Sequence, residues 1–149
     1  MTEVLLVFDL NGTLLLRKNG RTYLRKNLNE LKKICFSIAD VAIYTSMLAK
    51  NIKLNEIFTN EEIKKLKFVW DRSRTIKDEE GINEWDTIKD LNMVIKEYPD
   101  YKSIIFIDDS PNKLRHISEG NKIIIAPFVD IKEEDNVLED LINSIKKII

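Results

Sequence analysis

The sequence predicts an α/β fold, a three-layer sandwich with a mainly parallel central sheet. Three observations carry that prediction. The apolar runs Val4 to Phe8, Val41 to Tyr44 and Ser103 to Ile107 lack the polar alternation of a half-exposed strand, so they read as strands covered on both faces. Segments with apolar residues at helical spacing alternate with them. The 149 residues, 44% of them hydrophobic, supply one sizeable core and are too few for two ordinary domains.

In chain order, Val4 to Phe8 is the first strand, ended by Asp9 and the turn-forming pair Asn11-Gly12. Leu24, Leu28, Leu31 and Ile34 recur at helical spacing and predict the first helix. Val41 to Tyr44 is the second strand, stopped by Thr45-Ser46, and a helix is expected from Met47 towards Leu54. The stretch 58–90 is less regular. It holds an acidic helix start at Asn60, Glu61 and Glu62, an apolar Phe68-Val69-Trp70 run and a polar segment from Lys77 to Gly81. Leu91 to Tyr98 is helical and stops before Pro99. After the third strand, Ser110-Pro111 predicts an N-cap and first helical residue, with Gly120 at the helix exit. Ile123 to Ile125 is a fourth strand, and Val137, Leu138, Leu141, Ile142 and Ile145 give the closing helix its apolar stripe. The expectation is one domain over 1–149.

Composition removes several function classes. Lys+Arg (24) and Asp+Glu (25) nearly cancel, and a net charge of -1 gives no basic footprint for nucleic acid. No apolar run approaches the roughly 18 residues of a membrane helix. The opening MTEVLLVFDL carries an acid where a secretory signal carries basic residues. Cys35 is the one cysteine, which excludes a disulfide framework and a cysteine-based zinc site and predicts a buried structural thiol. The expectation is a soluble, intracellular protein.

Chemistry collects at the strand ends, where ligands bind in parallel sheets. Asp9 follows the first strand, Thr45-Ser46 the second and Asp108-Asp109 the third. A parallel sheet delivers all of them to one edge. Mg²⁺ suits such a place, because it takes one or two carboxylates with waters and a substrate phosphate. Asp9 and Asp108 supply carboxylates, and the Asn11 loop adds a third oxygen. A carboxylate such as Asp9 can also attack phosphorus. The competing reading is turn and cap chemistry: Thr45 or Ser46 as an N-cap, Lys89 as a solvated lysine, and Trp70 and Trp85 as core aromatics. His116 reads as a surface or cap residue, and Lys132-Glu133-Glu134-Asp135 as a solvated loop.

Asp9-Leu10-Asn11-Gly12-Thr13-Leu14 resembles the first motif, Asp-x-Asp-x-Thr, of the haloacid dehalogenase superfamily. Four further segments resemble its branch of small phosphatases acting on the RNA polymerase II C-terminal domain. Arg21-Thr22-Tyr23-Leu24 is similar to the Arg-Pro-x-Leu that opens their first helix, and Ile43-Tyr44-Thr45-Ser46 to their Trp-Thr-Ala-Ser. Ile88-Lys89-Asp90-Leu91 is similar to their Val-Lys-Asp-Leu, and Asp108-Asp109-Ser110-Pro111 to their Asp-Asp/Asn-Ser-Pro.

The resemblance implies a haloacid-dehalogenase-like, Rossmannoid sandwich and a Mg²⁺-dependent phosphoserine/threonine phosphatase. Asp9 is then the nucleophile, and Asp9, Asn11 and Asp108 form the metal set. Thr45, Ser46, Lys89 and Trp70 meet the substrate, with Trp85 and Phe68 lining a pocket for a proline-containing peptide. Gly12, Thr13, Asp109 and Ser110 support the loops, and the stretch 58–90 is the small insertion that shapes substrate access. The implied partner is a phosphoprotein or phosphopeptide, the RNA polymerase C-terminal domain by analogy. Asn11 departs from the pattern. The superfamily has an aspartate there that protonates the leaving alcohol and activates water, and an amide cannot carry that proton. Such a loss costs about 10²–10⁴-fold. Two other readings therefore accompany the phosphatase: an inactive domain that binds a phosphoprotein, and a small-metabolite phosphatase.

Overall fold

The computed structural model describes residues 3–149. Five strands form the central sheet: β1 (Val4–Phe8), β4 (Asp40–Tyr44), β5 (Val69–Trp70), β8 (Ser103–Asp108) and β9 (Lys122–Ile124). Their order is β5-β4-β1-β8-β9 and every pairing is parallel. Two short antiparallel pairs lie outside the sheet, β2 (Leu15–Lys18) with β3 (Arg21–Leu24), and β6 (Ile76–Lys77) with β7 (Thr87–Ile88). The helices are α1 (Leu28–Ile38), α2 (Asn60–Lys65), α3 (Leu91–Glu97) and α4 (Val137–Ile148).

The three layers follow from strand periodicity. Leu6 and Phe8 of β1 point into one core with Val41, Ile43, Ile105 and Ile107, where α1 contributes Leu28, Leu31 and Cys35 and α4 contributes Leu138, Leu141, Ile142 and Ile145. Leu5 and Val7 point the other way, with Ala42, Tyr44, Ile104 and Phe106, against Phe68, Trp70, Val94 and Leu114. Both faces of the inner strands are therefore apolar, as their sequences require.

Local chemistry accounts for several element ends. Thr59 caps α2 through a reciprocal capping box with Glu62, at 3.2 and 2.8 Å. Asp90 caps α3 by accepting the Asn92 amide at 2.9 Å.

The structure corrects four expected elements. Leu24 belongs to β3 and is exposed, so α1 begins only at Leu28. The cause is Asn19-Gly20, which turns the chain with φ of 54° and 73° and closes a two-residue hairpin. The region from Met47 to Leu54 is not an α-helix; two short 3₁₀ turns, Ala49–Asn51 and Leu54–Glu56, replace it. Pro111 does not open a helix, because residues 111–116 form successive tight turns, with Leu114 bonded to Pro111 and Arg115 to Asn112. Gly120 sits inside a 3₁₀ turn, Glu119–Asn121, and needs no left-handed conformation. The segment 58–90 also supplies β5, which pairs with β4 as the edge strand of the sheet.

Candidate active site

Parallel pairing brings the carboxyl ends of β1, β4, β5 and β8 to one edge. Asp9 follows β1 directly, Thr45 follows β4, and Asp108 ends β8 with Asp109 next. Oxygens of Asp9, Asp108 and Asp109 lie within 4.8 Å of one another. Asp108 is 1% exposed and Asp9 7%.

Such a cluster concentrates negative charge in a poorly solvated place. Burial, then the Asp108 charge, pushes the Asp9 carboxyl up to about 8, against the opposing pull of Lys89. Asp109 is raised too, by burial first and Asp108 second. Lys89, 2% exposed, follows β7 and bridges the group. Its Nζ donates to Asp108 Oδ2 at 2.5 Å and to Asp9 Oδ1 at 3.2 Å, and lies 5.8 Å from the Tyr44 ring centroid. The carboxylates hold the ammonium charged despite its burial. Among the described residues, Lys89 is the one cation in ion-pair contact with these three carboxylates, which leaves the cluster short of positive charge. Hard oxygen donors in that state fit a divalent cation such as Mg²⁺, with Asp9, Asp108 and Asp109 as its candidate holders.

The loop after β1 shapes the cluster. Gly12 adopts a φ of 88°, and a Cβ there would stand 2.6 Å from Asp109 Oδ2. Glycine is thus needed both for the turn and for the close approach of Asp109. This closeness makes Asp109, expected only to steady its loop, the third carboxylate of the group. The Thr13 hydroxyl lies 3.2 Å from both Asp9 Oδ2 and Asp109 Oδ1 and donates between them. Ser110 places its amide 3.0 Å from Asp108 Oδ1, as an acidic turn does.

A cleft of about 350 Å³ opens over the cluster, lined by Asp9, Asn11, Thr45, Ser46, Arg72 and Trp85 among others. Thr45 Oγ1 accepts the Met47 amide at 3.1 Å, which leaves its own hydrogen for an acceptor in the cleft. Ser46 and Thr87 share a hydroxyl hydrogen bond at 3.1 Å. Asn11 is exposed, and its Oδ1 accepts the Arg17 amide at 3.1 Å, so the side chain is steadied by the hairpin rather than by the carboxylates.

Two aromatic expectations change. Trp70 is 5% exposed and packs on Phe68, with ring centroids 4.3 Å apart, so neither lines the cleft. The β5 register turns Trp70 into the second core. Trp85, read either as a core aromatic or as part of the peptide pocket, is 56% exposed and stands at the cleft.

Sequence reasoning missed Arg25. The Arg21–Leu24 segment matched to a helix start is strand β3, and the basic residue before α1 is Arg25. It is buried, pairs with Asp135 at 2.8 Å, donates to the Thr13 carbonyl at 3.2 Å, and lies 5.3 Å from the Phe128 ring centroid. Phe128 itself donates its amide to the Gly12 carbonyl at 2.7 Å. The segment after β9 thus clamps the first loop from behind, and Asp135 is no solvated loop residue. The available signal was a basic residue just before the first apolar helix; its acidic partner lies 110 residues away and shows no spacing.

A parallel sheet with carboxylates at the ends of adjacent strands, a bridging lysine and a threonine at the end of the next strand is the arrangement the resemblance implies for a haloacid-dehalogenase-like, phosphatase-like domain. The family model of NLI interacting factor-like phosphatases matches residues 4–149, and the chain belongs to that family. Among solved structures it is similar to Fcp1, an essential RNA polymerase II CTD phosphatase, at 17% identity and a TM-score of 0.56, covering 95% of this chain and 48% of that one. It is also similar to a variant of fission yeast Fcp1 bound to beryllium fluoride, at 14% identity and a TM-score of 0.53, covering 96% of this chain and 50% of that one. The chain thus spans about half the length of these structures, and at such identities the likeness is one of fold. No curated protein sequence matches significantly.

Proposed function

We propose that this domain is a Mg²⁺-dependent phosphatase of phosphoserine or phosphothreonine in proteins, acting through a phosphorylated Asp9. The observation that carries the reading is the buried Asp9–Lys89–Asp108 group beneath an open cleft. A structural ion pair has no use for the surplus carboxylates.

The residues divide the work as follows. Asp9 attacks phosphorus; an Asp9 oxygen–phosphorus bond forms and the serine oxygen–phosphorus bond breaks. Lys89, held between Asp9 and Asp108, keeps the nucleophile in place and offsets phosphoryl charge. Thr45 donates its free hydroxyl hydrogen to a phosphoryl oxygen. Asp9, Asp108 and Asp109 would hold a divalent cation, which when bound would supply positive charge that keeps Asp9 ionised and balances the phosphoryl oxygens. Water then attacks phosphorus and releases phosphate and the Asp9 carboxylate. The leaving alkoxide takes its proton from solvent, because Asn11 has none to give, so both halves of the reaction are slow.

Asp9→Asn abolishes phosphate release from phosphopeptides, whereas Asn11→Asp raises it by about 10²–10⁴-fold. Wild-type rates in Asp9→Asn overturn the reading. Asn11 also supports a second reading, a phosphoprotein-binding domain without turnover. Sustained multiple turnover by the unmodified protein eliminates that alternative. A preference for sugar phosphates over phosphopeptides would redirect the assignment to a small-metabolite substrate.

A further inference from the structure

We propose that Arg72 and Lys113 form a second anion site on the same cleft. The preferred phosphopeptide then carries an additional negative group, a carboxylate or a second phosphate, two to three residues from the one that is dephosphorylated. This inference rests on the phosphatase reading above and names its substrate class.

Among the residues lining the cleft, these two are cations without an ion-pair partner among the described residues. Arg17, Arg25, Arg74 and Arg115 each reach a carboxylate, on Glu56, Asp135, Glu97 and Asp78. Arg72 and Lys113 line the cleft, are half-buried, and have no carboxylate within 4.0 Å among the described residues. Both are fixed through backbone carbonyls instead. Arg72 Nε donates to the Ser46 carbonyl at 2.8 Å, and no other side-chain hydrogen bond of Arg72 is formed among the described residues. A guanidinium has five N–H donors, so four remain for a ligand. Lys113 Nζ donates to the carbonyls of Trp85 at 2.7 Å and Thr87 at 3.4 Å, leaving one hydrogen of three. The nearby Asp86 carboxylate is engaged by the amides of Ile82 and Asn83.

The scaffold around them is stiff. Arg115 grips Asp78 through two bonds of 2.9 and 3.0 Å, with Asn112 adding a third at 3.3 Å. This grip fastens the loop that carries Trp85 to the turns that carry Lys113. The Arg72 amide is bonded to the Met47 carbonyl at 2.9 Å, which joins it to the loop after β4.

Sheet geometry gives the reach. Arg72 follows β5, two strands from β1 and Asp9. Neighbouring strands lie about 4.8 Å apart, so the two positions are separated by roughly 10 Å. An extended peptide spans that distance in about three residues. Arg72 at that remove from the phosphoryl position, on a cleft that Lys113 and the exposed Trp85 also line, fits an acidic neighbour of the scissile residue better than an apolar one.

The test titrates the full chain, with Mg²⁺, against fluorescent peptides carrying a non-hydrolysable phosphonate analogue of phosphoserine. Two or three positions away, on either side, each peptide has serine, aspartate or phosphoserine. The aspartate or phosphoserine peptide is expected to bind about tenfold tighter than the serine peptide, with the advantage shrinking at high salt. Preference for phosphoserine alone supports a phosphate subsite, and for both a general anion subsite. Arg72→Gln and Lys113→Gln should bring the tighter peptides to the affinity of the serine peptide. Damage to the fold would weaken all three alike. In that event Arg72→Lys, which keeps the charge, must retain the preference, or the proposal falls. Equal affinities for all peptides, no binding at all, or a preference that survives both glutamine variants overturns it. Phosphate release from the hydrolysable peptides is read separately: a preserved binding preference without release sinks the phosphatase reading alone.

Discussion

Two buried charged groups in this domain have opposite accounts. Arg25 and Asp135 sit 2% and 8% exposed, one cation against one anion, with further Arg25 donors spent on the Thr13 carbonyl and its face near the Phe128 ring. Asp9, Lys89 and Asp108 are as deeply placed, yet with Asp109 they set three carboxylates against one ammonium. The first group is balanced and holds two chain segments together. The second is unbalanced, pushes Asp9 up to about 8, and faces a cleft. Burial alone therefore does not distinguish a clamp from a reactive centre. Charge balance and access to a ligand do.

Breaking each group should give opposite results, and the largest effect is on turnover. Asp9→Asn is expected to lower phosphate release at least about 10³-fold, measured under multiple turnover, while the domain stays folded. Arg25→Met removes one partner of the balanced pair and strands Asp135. Chemical denaturation should show a loss of about 3–5 kcal/mol; an unchanged midpoint would mean that the clamp contributes nothing.

Gly12→Ala tests the contact between the first loop and Asp109. The added methyl meets the Asp109 carboxylate and a left-handed φ. Activity should fall well before stability, since alanine at a positive φ costs on the order of 1 kcal/mol. A variant with full activity would show that Asp109 can move aside freely.

The unbalanced group also predicts a pH dependence. Asp9 titrates near 3.8 when unperturbed and about 8 when folded, so its folded-state pKa is raised. The unfolded chain releases that proton first. In chelator, the Asp9 contribution to stability should decline as pH rises from about 4 to about 8, and Asp9→Asn should remove that decline. A wild-type slope identical to that of the variant contradicts the assignment.

The smallest effect concerns Cys35, 1% exposed, whose thiol burial pushes up to about 12 from 9.0. Being raised, it favours the folded thiol and costs stability only as pH climbs past about 9. A thiol reagent at neutral pH should label it only after denaturant is added.

Much of the site was legible because its residues sit next to strand ends. Asp9, Thr45 and Asp108 each close an apolar run, and a parallel sheet has one carboxyl edge. The choice between Trp70 and Trp85 was not legible, since a tryptophan looks alike in a core and at a cleft. The register of a two-residue edge strand settled it. Asn19-Gly20 carried its hairpin openly, and helical spacing from Leu24 masked it.

By itself, the sequence determined the α/β layering, the sheet edge on which the chemistry gathers, and the placing of an amide, Asn11, two residues after Asp9. These are properties of neighbouring residues, written in periodicity, turn chemistry and side-chain type. Only the tertiary structure decided that Asp109 joins the carboxylate group, that Arg25 meets Asp135, and that Arg72 and Lys113 face the cleft without an acidic partner among the described residues. Those are distances between residues far apart in the chain, and no local pattern encodes them until the sheet closes.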